Sequence, residues 1–260
     1  MLTLLLGMVA VAGLSSAPAT AAATVASAVS TNWSGYAVTG ASYSSVSGSW
    51  VQPTATCTRG SSGYSAFWVG LGGFDPSSQA LEQVGTSADC SASGRASYTA
   101  WYELVPAASV LVPLTVSPGD TVSASVAVSG TTVTLELRAT TTGASFTKTL
   151  TMTSPDVGSA EWIAEAPSAC GGARCRTLPL ANFGTLAFSA SSARTVDGHT
   201  GTITDPAWSA TAIQLQTGSG SFRRFAAVSA GASPSAVSAD GSAFSVAWQQ
   251  GVALPRRSRS

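Results

Sequence analysis

"TVSASVAVSGTTVTLELRAT", residues 121 to 140, decides the fold. Its first half alternates valine with small polar residues, and its second half places Val133, Leu135 and Leu137 on one face. A period of two is that of a strand with one buried face. Gly130, at the junction, supplies the turn of a hairpin, and "SPGD" (117–120) is a turn leading into it. The same texture recurs outward from this hairpin, in "GTLAFSAS" (184–191), "TAIQLQT" (211–217) and "SAFSVAWQ" (242–249). From Asn32 onward, short runs rich in Val, Thr, Tyr, Phe and Trp are broken by Gly, Ser, Pro and Asp, with no helical pattern between them. The expectation is an all-β fold, an antiparallel sandwich or barrel. No Pro/Gly-rich linker divides the run, so a single domain is expected over 24–253, followed by a solvated basic tail over 254–260.

Composition narrows the function. Twelve Lys and Arg balance twelve Asp and Glu, so no global field attracts nucleic acid or an anionic membrane. The first 23 residues, an apolar run followed by Ala-x-Ala steps around Ala19 to Ala23, read as a signal peptide, and the mature protein is expected to be secreted and extracellular. Four cysteines in an exported chain read as two disulfides, of three possible pairings; the spacing suggests Cys57 with Cys90 and Cys170 with Cys175.

Several chemistries are excluded. With His199 as the only histidine, an HExxH zinc site cannot form, and no Cys-x-x-Cys pair is present. No G-x-S-x-G elbow accompanies a serine nucleophile, no Asp-Thr/Ser-Gly loop is present, and no Gly-rich loop leads into a helix to hold phosphate. His199 sits in the Gly-flanked loop "VDGHTG" and reads as solvated. No metal or other cofactor is expected.

What remains is carboxylate and amide chemistry among aromatics. "AFWVGLGG" (66–73), "ALEQVGT" (80–86) and "YTAWYELVP" (98–106) bring Trp68, Gln83, Trp101, Tyr102 and Glu103 close in sequence. Trp and Tyr beside polar groups suit a groove for an extended polymer, although each Trp reads equally as sandwich core. "EWIAE" (161–165) spends two glutamates in a chain only 9% charged. On a strand, Glu161 and Glu165 share a face but stand roughly 13 Å apart at about 3.3 Å per residue. They cannot share a proton, so a catalytic partner of either comes from another strand.

The segments "NWSGYA" (32–37), "FWVGLGG", "LEQVG", "YTAWYELVP", "PGDTVSASV", "AEWIAE" and "FGTLAFSAS" occur in the order and spacing of the glutamic peptidases, the eqolisins, and the chain resembles that family over about residues 32–250. The resemblance implies a concanavalin A-like sandwich of two bent antiparallel sheets, and an endopeptidase using one Gln and one Glu at acidic pH. The Gln of the family's apolar-x-Gln-x-Gly segment falls on Gln83. The second acid of Glu-Trp-Ile-x-Glu falls on Glu165, which leaves Glu161 non-catalytic. Trp33, Trp68 and Trp101, with Glu103 beside them, fall on substrate-binding positions. Three of the family's acids are absent, replaced by Gly72, Thr99 and Ala166, so fewer like charges surround Glu165 to raise its pKa. The expected partners are polypeptide substrates, with neither nucleic acid nor membrane, and the expected state is a monomer. The competing reading is a non-catalytic glycan- or protein-binding sandwich, which the same fold and Trp-lined face would serve.

Overall fold

The computed structural model describes residues 24–171, 174–216 and 230–251. The expected signal peptide (1–23) and basic tail (254–260) lie outside the described residues. The hairpin at 121–140 forms β8 (Thr121–Ser129) and β9 (Thr132–Ala139) of the eighteen strands among the described residues, with Gly130 at φ +60° in its turn. Before it come β1 (Ala26–Ser30), β2 (Trp33–Thr39), β3 (Tyr43–Val51), β4 (Ala66–Leu71), β5 (Leu81–Cys90), β6 (Ala96–Val105) and β7 (Val110–Val112). After it come β10 (Ala144–Thr151), β11 (Ser159–Glu165), β12 (Ser168–Gly171), β13 (Arg174–Thr177), β14 (Thr185–Thr195), β15 (Thr200–Gly201), β16 (Ser209–Gln216), β17 (Gly231–Pro234) and β18 (Phe244–Gln249). The described residues contain no helix.

The named strands pair antiparallel, except that β1 runs parallel to β16. One hydrogen-bonded path runs β10-β9-β8-β3-β14-β18-β17-β16-β2-β11-β4-β5-β6-β7. It folds into two layers, because the inward faces of its two halves share one core. In the hairpin, Val122, Ala124, Val126 and Val128 lie opposite Ala139, Leu137, Leu135 and Val133, and all are buried. Facing them across the core are Phe67, Val69, Val84 and Trp162. Each fully buried aliphatic or aromatic side chain contributes about 1.5–3 kcal/mol, and indole donors add polar bonds between the layers. The Trp50 indole donates to Thr86 Oγ1 at 3.0 Å, and the Trp162 indole to the Ser47 carbonyl at 2.7 Å.

Two disulfides hold the loops. Cys57–Cys90 ties the 52–65 loop to the end of β5, with a Cα separation of 5.3 Å, and Cys170–Cys175 joins opposed residues of the β12–β13 hairpin at 4.0 Å. In the chain-entropy account the first closes the longer loop and contributes more, roughly 4 kcal/mol against roughly 2.

Candidate active site

The site stands on the outer face of the second layer. Alternation along β4, β5, β6 and β11 sends Phe67, Val69, Val84, Ala100, Trp162 and Ala164 into the core. The intervening residues, Ala66, Trp68, Gln83, Trp101, Glu103, Ile163 and Glu165, therefore point the other way. Register sets the rows: Ile163, Trp68, Gly85 and Trp101 lie side by side across four strands, and Glu161, Gly70, Gln83 and Glu103 form the next row. A second apolar cluster, of Ala37, Ala66, Trp68, Leu81, Trp101, Ile163 and Ile213 with Trp33, Phe74 and Val105, floors this face.

Glu165 ends β11, half-buried among these aromatics. Its Oε2 accepts a hydrogen bond from the Trp68 indole at 2.8 Å, and its Oε1 accepts one from the Asn32 side-chain amide at 3.1 Å. Trp33 packs edge-on against Trp68, with ring centroids 5.0 Å apart. Burial pushes the Glu165 carboxyl up to about 7, ahead of the donors from Trp68 and Asn32, which lower it, and the charge of Glu103, which adds to the rise. The loss of like charges at Gly72, Thr99 and Ala166 therefore does not keep this pKa low, because desolvation is the larger cause. Each replacement fits its place. Gly72 has φ +81° and a Cβ there would lie 2.5 Å from that of Asp156, Thr99 bonds Ser87 at 2.8 Å, and Ala166 is wholly buried.

Gln83 is almost wholly buried, and its Nε2 donates to Glu103 Oε2 at 2.7 Å. That bond leaves the second Nε2 hydrogen and the carbonyl Oε1 without a partner among the described residues. Glu103 is raised by burial and lowered by the Gln83 amide and the Ser109 backbone N–H. Trp68 joins the two halves of the site. A Cβ on Gly70 would meet its Cζ3 at 2.9 Å and the Gln83 Cβ at 3.2 Å. One indole thus reaches from Glu165 to Gln83, and the bare Gly70 gives it room. A groove of about 770 Å³ is lined by Thr31, the residue before Asn32, together with Arg176, Thr177 and Trp248 among others.

Of the sequence-predicted residues, Trp33, Trp68, Gln83, Trp101, Glu103 and Glu165 stand on this one face. Trp68 and Trp101 are not exposed groove walls but buried floor, at 0% and 7% exposure. Tyr102 does not belong to the site: it points into the core side and stacks on Phe146 at 6.0 Å. His199 is exposed but not merely solvated, because its Nε2 lies 3.0 Å from Asp205. Glu161 is fully buried with neither carboxylate oxygen hydrogen-bonded, and burial raises it well above the usual carboxylate range. Sequence reasoning missed Asn32, although it adjoins Trp33 in "NWSGYA". It also missed Glu82, which faces the core, accepts the Asp156 backbone N–H at 3.2 Å and is pushed by burial to about 8.

A profile of the Peptidase A4 family matches residues 31–239. Among solved structures, scytalido-glutamic peptidase with a peptide-based transition state analog is 26% identical with a TM-score of 0.67, the match covering 84% of this chain and 98% of that one. SCP-B, described as an eqolisin in complex with the tripeptide Ala-Ile-His, is 25% identical with a TM-score of 0.64 over 84% of this chain and 98% of that one. Aspergilloglutamic peptidase from Aspergillus niger is 27% identical with a TM-score of 0.56 over 72% of this chain and 99% of that one. A search of curated proteins finds no match. The chain belongs to the Peptidase A4 family, the glutamic peptidases or eqolisins.

Proposed function

We propose that this glutamic endopeptidase hydrolyses polypeptides with Glu165 as general base and then acid, and with Gln83 as the oxyanion donor. The observation that carries the reading is the opposition of two differently held groups on one face. Glu165 is half-buried yet kept competent to ionise by Trp68 and Asn32. Gln83 cannot ionise, and Glu103 fixes its amide. A carboxylate with a pKa about 7 takes a proton from water attacking the scissile carbonyl and then returns it to the leaving amine with little mismatch in either direction. The free Nε2 hydrogen of Gln83 meets the developing oxyanion, a donor commonly worth about 3 kcal/mol of barrier. Trp33 presents the apolar surface on which substrate lies, backed by the buried floor of Trp68 and Trp101.

An ionised base near neutrality moves the expected working range from acidic toward neutral pH, with kcat/KM rising through about 7. Peptide ligands in the related structures, a transition state analog in scytalido-glutamic peptidase and Ala-Ile-His in SCP-B, support a peptide substrate. The two disulfides support secretion, since such bonds persist in oxidising surroundings. Digestion of denatured casein should survive both a strong chelator and a serine-directed phosphonate; loss of most activity to either reagent would refute the Gln/Glu chemistry.

A further inference from the structure

The edge of the site sheet carries an apolar side chain that the proposed chemistry does not use. Strand β7 ends the hydrogen-bonded path, and Leu111 on it is 69% exposed, the most exposed large apolar residue among those described. Its face is fixed by register: Ala100 and Val112 oppose each other in the core, and Trp101 opposes Leu111 on the site face. Leu111 therefore extends the row Ile163, Trp68, Gly85, Trp101 by one strand, past the buried cluster and into solvent. A three-residue edge offers far less than the roughly 800 Å² per partner of a stable dimer. It does lie within reach of a peptide already bound across this face.

We infer that Leu111 is a specificity-determining residue, which binds a large apolar side chain of the polypeptide substrate beyond the scissile bond. From Gln83 the offset is two strand spacings of about 4.8 Å and two residues along β6, roughly 12 Å in all. At about 3.3 Å per residue an extended chain covers that distance in three or four residues. Substrate side chains alternate in direction, so one position at that distance faces Leu111. Its contact with Leu111 and the Trp101 edge removes both apolar surfaces from water. The position also adjoins the machinery, because Trp101, which opposes Leu111, lies two residues along β6 from the Glu103 that holds Gln83.

This inference rests on the peptidase reading, and the test separates the two. A proteome-derived peptide library is digested with the wild-type protein, Leu111→Ser, Leu111→Phe and, as a control, Val196→Ser, which changes an apolar residue of similar exposure (65%). Cleavage sites are read by mass spectrometry. Wild-type protein should favour Leu, Ile, Met or Phe over Ser about tenfold at one position three or four residues from the cut, a ratio typical of a single apolar contact. Leu111→Ser should bring that ratio near one, Leu111→Phe should retain it, and Val196→Ser should leave it unchanged. An unaltered ratio in Leu111→Ser, or no preference in the wild type, overturns the inference while the peptidase reading stands. If no variant cleaves anything, the peptidase reading fails, and capture of the same library on Glu165→Gln with and without Leu111→Ser decides the subsite. An apolar preference that Leu111→Ser removes upholds the subsite, and equal capture overturns it.

Discussion

Replacing Trp68 with phenylalanine removes one donor, the indole N–H that holds Glu165 Oε2 at 2.8 Å, and keeps most of the aromatic floor. The bond favours the ionised carboxylate, so its loss raises a pKa that burial has already pushed up to about 7. A hydrogen bond to a charged group is worth about 1.5–3 kcal/mol, and each pH unit corresponds to about 1.4 kcal/mol. Water entering the space left by the indole offsets part of the loss, which sets the expected displacement at about one unit. The acidic limb of kcat/KM reports this ionisation in the free enzyme. It should move to higher pH by about one unit when a fluorogenic peptide is assayed from pH 4 to 9. Asn32→Ala removes the longer bond, 3.1 Å, and should move the limb in the same direction by less. Circular dichroism at each pH separates this shift from unfolding. A limb that stays in place in Trp68→Phe, or moves to lower pH, would refute the assignment of Glu165 as the base held by Trp68.

Gln83 and Glu82 carry two further expected outcomes. Gln83→Ala should lower kcat about 100-fold with KM little changed, as befits a donor engaged mainly in the transition state, and steady-state kinetics on the same peptide checks it. Glu82 ionises at about 8 in the folded protein and at its ordinary 4.5 in the unfolded chain. The folded state thus holds the extra proton between those values, and its stability is full below 4.5 and declines as pH rises toward 8. At pH 7 the decline is about 3 kcal/mol. Glu82→Gln should recover stability of that order at pH 7 and almost none at pH 4 in urea titrations; equal gains at the two pH values would exclude this account.

How far the sequence reaches is visible in particular residues. The hairpin at 121–140 is legible because side-chain period and strand period coincide, and the register Val126 to Leu135 follows from one glycine turn. "EWIAE" is legible for the same reason, down to the shared face of Glu161 and Glu165. The partners of Glu165 are not, because Trp68 lies 97 residues away and Asn32 133 residues away, and only the pairing of β11 between β2 and β4 brings them together. Tyr102 misleads because it neighbours Trp101 and Glu103 in sequence, yet alternation turns it to the opposite face. The pKa of Glu165 misleads for another reason. Like charges can be counted in a sequence, whereas the desolvation that dominates depends on which aromatics close over the carboxylate. Glu82 carries a local sign in the sequence, a charge standing one residue from the Gln that faces the site and therefore aimed at the core.

The central claim is that Glu165, rather than its strand-mate Glu161, performs the chemistry. Peptide cleavage by Glu165→Gln and Glu161→Gln, each checked for folding by circular dichroism, tests it most directly. No turnover is expected from Glu165→Gln, and most of the wild-type rate from Glu161→Gln, with the acidic limb unmoved. A folded, active Glu165→Gln beside a folded, inactive Glu161→Gln would contradict it.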